Sequence, residues 1–127
     1  FQDREIQMVD VVSLAGKLAQ FDEQWSPKII AEMNGSHVKV AKVQGEFVWH
    51  SHDVEDELFL VVRGRLRIEL RDGSVTLGPG ELVVIPKGVE HRPVAEEEVH
   101  LVLVEPAGIL HTGGVADPRA VAEYERI

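Results

Sequence analysis

Apolar and polar positions alternate with a period of two over most of the chain, the signature of strands with one face toward a core. Before that pattern begins, Leu14, Leu18 and Phe21 recur at helical spacing behind Ser13, and residues 13–22 are predicted as a short amphipathic helix capped by that serine. From Lys28 to about Val104 the period is that of strands. Asn34-Gly35 separates Lys28–Met33 from His37–Val43 and predicts a type I′ hairpin. Gly45 interrupts the pattern, and Phe47–His52 resumes it as a further strand. Leu66, Ile68 and Leu70 alternate with charged residues, Asp72-Gly73 turns the chain into Val75–Leu77, and Gly78-Pro79-Gly80 turns it into Leu82–Ile85. Val99–Val104 is the last strand expected. Asp117-Pro118 reads as a cap followed by a first-turn proline, predicting a short helix over 118–126 after a glycine-containing loop at 107–116.

Seven or eight short strands joined by turns at intervals of about ten residues imply an all-β sandwich or barrel. At 127 residues the chain suits one domain, with the core at about 28–105 and flanking segments at 1–27 and 106–127. Leu58–Val62 is apolar on both faces. One face meets the interior, and a second copy of the chain is the expected cover for the other, making a homodimer.

Charge and composition then narrow the chemistry. The net charge is −9 with the basic residues scattered, which excludes the cationic footprint that nucleic acid or an anionic membrane surface requires. No run of about 18 apolar residues predicts a membrane span. With no cysteine, disulfides, thiolate nucleophiles and zinc–thiolate sites are excluded, and a metal would be held by nitrogen and oxygen. The cytoplasm is the expected compartment, which the absence of cysteine fits; Phe1–Glu5 lacks the basic and apolar regions of a signal peptide.

Six histidines are present, and a lone histidine on a strand more often fills an ordinary polar role than ligates a metal. His50 and His52 differ because residues two apart on a strand share a face. Among the acidic residues at 53–57, Glu57 shares strand parity with Phe59 and Val61, so it points inward if they do, and a buried carboxylate needs a partner or a metal. His91 follows the turn Pro86-Lys87-Gly88 and supplies a third imidazole. Val48, Phe59, Val61 and His100 are expected to line the pocket around these groups. Of the remaining histidines, His37 is expected at the surface, and His111 lies in the glycine-containing loop, where a lid role is open. Trp49, of opposite parity to His50, is expected to face outward. Arg63, Arg65 and Arg67 read as a solvated face.

Gly45, His50, His52, Glu57 and Gly64 resemble the first sequence motif of the cupin superfamily, and Gly80, Pro86, Gly88 and His91 resemble the second. One residue fewer than usual separates Gly45 from His50, and Ala95 stands where an asparagine often ends the second motif. The resemblance implies a jelly-roll β-barrel holding one divalent transition metal ion (Mn, Fe, Ni, Co or Zn) on His50, His52, Glu57 and His91, with positions open to a small molecule. Because one fold hosts many chemistries, two functions are expected. The first is a metal-dependent enzyme, a dioxygenase or a sugar-type isomerase or epimerase, acting on a small oxygenated or anionic molecule. The second is a non-catalytic module that binds such a molecule.

Overall fold

The computed structural model describes residues 9–108, 111–121 and 123–127. Its elements follow in chain order as α1 (Leu14–Leu18), β1 (Lys28–Met33), β2 (Ser36–Glu46), β3 (Glu57–Arg63), β4 (Leu66–Leu70), β5 (Gly73–Leu77), β6 (Leu82–Ile85), β7 (His91–Pro106) and β8 (Glu125–Arg126). This is the expected jelly-roll arrangement. The longest strand, β7, organises it by pairing with β2 along most of its length, with β4 through Arg92–Val94 and with β3 through His100–Val104. Between those two halves Glu96, Glu97 and Glu98 are exposed, where β7 changes partner from β4 to β3. Gly64 makes the matching turn from β3 to β4 at φ 91°, where an added Cβ would lie 3.0 Å from the Glu98 carbonyl oxygen.

The local turn chemistry holds as read. Asn34 and Gly35 both adopt positive φ (52° and 76°), as a type I′ hairpin requires. Ser13 caps α1 by accepting a hydrogen bond from the Gly16 amide at 3.0 Å.

Four expectations are corrected. The helix ends at Leu18 rather than at residue 22, its interior weakened by Gly16. Phe47–His52 is not a strand, because only His50 makes a ladder contact, an isolated bridge to His91. The last strand begins at His91 rather than at Val99; Pro93 and the acidic run 96–98 mask its first half in the sequence. The C-terminal helix over 118–126 is absent among the described residues. Asp117 caps a single turn, accepting from the Arg119 amide at 2.7 Å, and Glu125–Arg126 then adds to β1 as a parallel strand.

Two apolar clusters result. The inner one joins Ala41, Val43, Phe59, Val61, Leu66, Ile68, Leu77, Ile85, Ala95, Val99, Leu101 and Leu103. The outer one packs Leu18 and Phe21 over Val40 and Val102. Beyond the reach of α1 the outer face continues apolar through Leu58, Leu60 and Val104, ending at Leu82 and Val84, which are 58% and 47% exposed.

Candidate metal centre

His50 and His91 face each other across one antiparallel bridge, each amide donating to the other's carbonyl (3.1 and 2.9 Å). That pairing brings their rings to 4.3 Å between centroids. His52 is fixed two residues on by its carbonyl, which accepts from the Gly88 amide at 2.8 Å. Asp56, one of the acidic residues before Glu57, accepts from the Lys87 amide at 2.9 Å and so ties that segment to the turn preceding His91. Glu57 opens β3 opposite Ile85, with its side chain inward. One ligating atom from each of His50, His52, Glu57 and His91 falls within a group no more than 4.8 Å across, and all four residues are buried. The four donors converge, but a bridge and two turns bring His50, His52 and His91 together rather than a shared strand face.

Hydrogen bonding sets which nitrogen of two rings is free. Nδ1 of His50 bonds the Val48 carbonyl at 2.9 Å and Nδ1 of His91 the Val89 carbonyl at 3.0 Å, so each Nδ1 carries the proton and each Nε2 presents a lone pair. His52 Nε2 and His91 Nε2 lie 3.4 and 3.6 Å from Glu57 Oε1. These three buried atoms make no hydrogen bond among the described residues. Burial, followed by the neighbouring His91, pushes the His50 imidazole down to about 4, so it stays neutral. Burial would raise Glu57, but the His52 and His91 rings outweigh it and hold the carboxyl below the usual carboxylate range. A neutral His50 beside an ionised Glu57 gives these two donors the protonation states a metal requires. A divalent first-row ion takes such donors at about 2.0–2.2 Å, which places donors about 3–4 Å apart, and the four residues fit it.

The space beside these donors is a small cavity with about 30 Å³ free. Its walls are mainly apolar, among them Trp25, Phe47, Phe59, Leu101 and Leu103, with His50, Glu57 and His111 as its titratable groups. Trp25 stacks on Phe47 at 4.4 Å, and Phe47 stacks on His111 at 5.3 Å.

Of the expected pocket residues, Phe59 lines this cavity. Val61 is buried deeper in the inner cluster, and Val48 contributes its carbonyl to His50. His100 does not line it. The inward positions of β7 are Val99, Leu101, Leu103 and Glu105, so His100 points outward, 3.0 Å from Glu98, beside a surface groove with Arg63, Arg65 and Arg67. Trp49 faces outward as expected, beneath the Arg71 guanidinium at 3.9 Å. His37 is mostly buried rather than at the surface, 3.2 Å from Glu32.

Three interior polar residues escaped the sequence reading. Lys39 and Glu105 form a fully buried pair at 2.7 Å, and the Lys39 ammonium lies 3.6 Å from the Tyr124 ring centre. Burial, then the charge of Glu57, pushes Glu105 up to about 8 against the pull of Lys39. Burial and the charge of Glu105 raise the Tyr124 phenol as well.

Comparison with known proteins agrees with this architecture. The cupin domain profile matches residues 36–112. A cupin-2 domain containing protein from Shewanella frigidimarina is 50% identical, with a TM-score of 0.75 over 76% of this chain and 94% of its own. The uncharacterized protein YdbB of Bacillus subtilis is 34% identical over 86 residues, 67% of this chain and 74% of that protein. The hydroquinone 1,2-dioxygenase PnpCD, solved with Cd2+ and 4-hydroxybenzonitrile, covers 79% of this chain and 80% of its own at a TM-score of 0.62; at 17% identity the likeness is one of fold. Profile, relatives and the buried His-His-Glu-His set agree: the chain belongs to the cupin family.

Proposed function

We propose that this protein is a metal-dependent enzyme, a dioxygenase or a sugar-type isomerase or epimerase, that holds one divalent transition metal ion on His50, His52, Glu57 and His91 and acts on a small oxygenated or anionic molecule. The observation that carries the reading is the group of buried, unpaired donor atoms on His52, Glu57 and His91, which water cannot satisfy from outside. A bound ion supplies Lewis-acid polarisation of a coordinated oxygen. The chain's own part is to fix the imidazole tautomers through Val48 and Val89, to keep Glu57 ionised and to wall the site in carbon. Three neutral nitrogens and one carboxylate around a divalent ion leave a net charge of about +1 in a poorly screened interior, which favours an anion over a cation as ligand. The same site without turnover, a small-ligand-binding module, is the second reading; the absence of a positioned acid or base among the four donors favours it.

We also propose that the outer apolar face ending at Leu82 and Val84 is covered by a second copy, making a homodimer. The experiment is metal content after reconstitution, with His50→Ala and His91→Ala as controls, followed by oxygen-uptake and isomerase assays. Stoichiometric metal in the wild type alone supports the metal reading, and its absence from reconstituted wild type defeats it. Turnover supports the enzyme, whereas tight ligand binding with no turnover supports the module. A monomeric mass by light scattering removes the dimer.

A further inference from the structure

The segment after β7 returns across the end of the barrel where the four donors lie. Gly113 packs against the donor segment so closely that a Cβ there would lie 2.4 Å from the Ser51 carbonyl oxygen and 3.2 Å from His50 Cβ, and its φ of 64° suits glycine. Further on, the Tyr124 hydroxyl accepts a hydrogen bond from the His111 amide at 2.6 Å, and the Arg119 guanidinium sits 4.8 Å from the Phe47 ring centre. Between these anchors His111 is buried, stacked on Phe47, and part of the wall of the cavity that His50 and Glu57 also line. Its Nδ1 faces the Tyr124 hydroxyl at 3.4 Å; with that hydroxyl donating to Nδ1, the ring proton lies on Nε2. Its Nε2 is buried and has no hydrogen-bond partner among the described residues. A buried, unpaired imidazole nitrogen on an otherwise apolar wall is unfavourable unless something in the cavity accepts from it.

We infer that His111 is a ligand-positioning residue, its Nε2–H donating to a small oxyanion (the carboxylate or enolate end of a larger molecule, or a free anion of a few atoms) held at the metal. The inference rests on the metal reading above. The cavity is small, with about 30 Å³ open to the centres of water-sized groups, and it suits an anion of a few atoms. The donor reaches the anion from the cavity wall, while the metal takes another of its atoms.

Azide is the probe, added to protein loaded with Co2+ and followed by the visible absorption of the ion. The wild type binds azide; His111→Leu weakens that binding by about tenfold or more while its Co2+ affinity is unchanged. His111→Gln, whose amide nitrogen donates at similar reach, restores most of it, and Tyr124→Phe, which removes the acceptor holding the His111 backbone, gives a smaller loss. Equal azide affinity in wild type and His111→Leu overturns the inference. So does a loss of Co2+ affinity in His111→Leu that matches the loss of azide, which would make His111 part of the metal's own support. Should His111→Leu not fold, His111→Gln and Tyr124→Phe carry the test, and wild-type azide affinity in Tyr124→Phe overturns the positioning. Wild-type protein that takes no Co2+ defeats the metal reading itself and is distinguishable from each of these outcomes.

Discussion

One barrel interior contains two unlike regions built by the same three strands. Followed along their inward positions, β7 reads Val99, Leu101, Leu103 and then Glu105; β2 reads Val43, Ala41 and then Lys39; β3 reads Val61, Phe59 and then Glu57. The register places Phe59 beside Leu103 and Lys39 beside Leu103, so all three strands turn from carbon to charge at neighbouring levels. The apolar end is held by close packing, where losing a methylene leaves a void. The charged end is held by mutual compensation among Lys39, Glu105, Glu57 and the imidazoles, which adds little stability of its own. Stability is therefore concentrated at one end and chemistry at the other.

Breaking the compensation gives the largest expected effect on stability. Lys39→Met alone leaves Glu105 buried without its ammonium and is expected to destabilise by about 3–5 kcal/mol in urea unfolding above about pH 8, where Glu105 ionises, and by less at neutral pH. The double variant Lys39→Met with Glu105→Leu is expected to recover most of that loss or exceed wild type. If the single and double variants are equally damaged, Lys39 matters for its packing rather than its charge.

Next in size, Ile68→Ala, in the inner apolar cluster and away from the cavity, is expected to cost about 2–5 kcal/mol and to keep metal stoichiometry in the folded protein. Glu57→Gln is expected to lose metal, with a smaller loss of stability in the metal-free protein at neutral pH, because the folded state holds the Glu57 charge more favourably than the unfolded chain does. Metal analysis beside unfolding curves reads both variants, and matching behaviour would erase the distinction between the ends.

The smallest effect is on the pH dependence of the metal-free protein. His50 titrates near 4 when folded, below its ordinary value near 6.5, so in that interval the unfolded chain binds a proton that the folded chain does not. Its contribution is complete above about 6.5 and is lost as the pH falls toward 4. Glu105 acts in the opposite sense. Raised from 4.5 to about 8, it holds a proton that the unfolded chain has released, so its contribution is present below 4.5 and is lost as the pH rises through 8. His50→Phe is expected to flatten the acid limb of a plot of Tm against pH, and Glu105→Gln the alkaline limb. Ile68→Ala is expected to lower the whole curve without changing either slope.

These contrasts also explain what the sequence made legible. His50, His52, Glu57 and His91 stood out because their spacing matches motifs in which loops and turns carry the chemistry. Lys39 did not. It alternates with Val38 and Val40, an arrangement that ordinarily puts the lysine in water, yet here Val40 is buried beneath α1 and Lys39 is buried as well. A strand covered on both faces removes the contrast from which alternation is read. His111 was hidden for another reason: its position depends on where a glycine-containing loop returns, and periodicity says nothing about that. The tail misled because an aspartate followed by proline caps a single turn as readily as it begins a helix.

The two tryptophans fall on opposite sides of the same wall. Trp25 lines the cavity shared with His50 and Glu57, whereas Trp49 lies outside beneath Arg71. Emission from Trp25, in the cavity wall, is therefore expected to report an open-shell ion or coloured ligand entering the site, and Trp49→Phe isolates that signal.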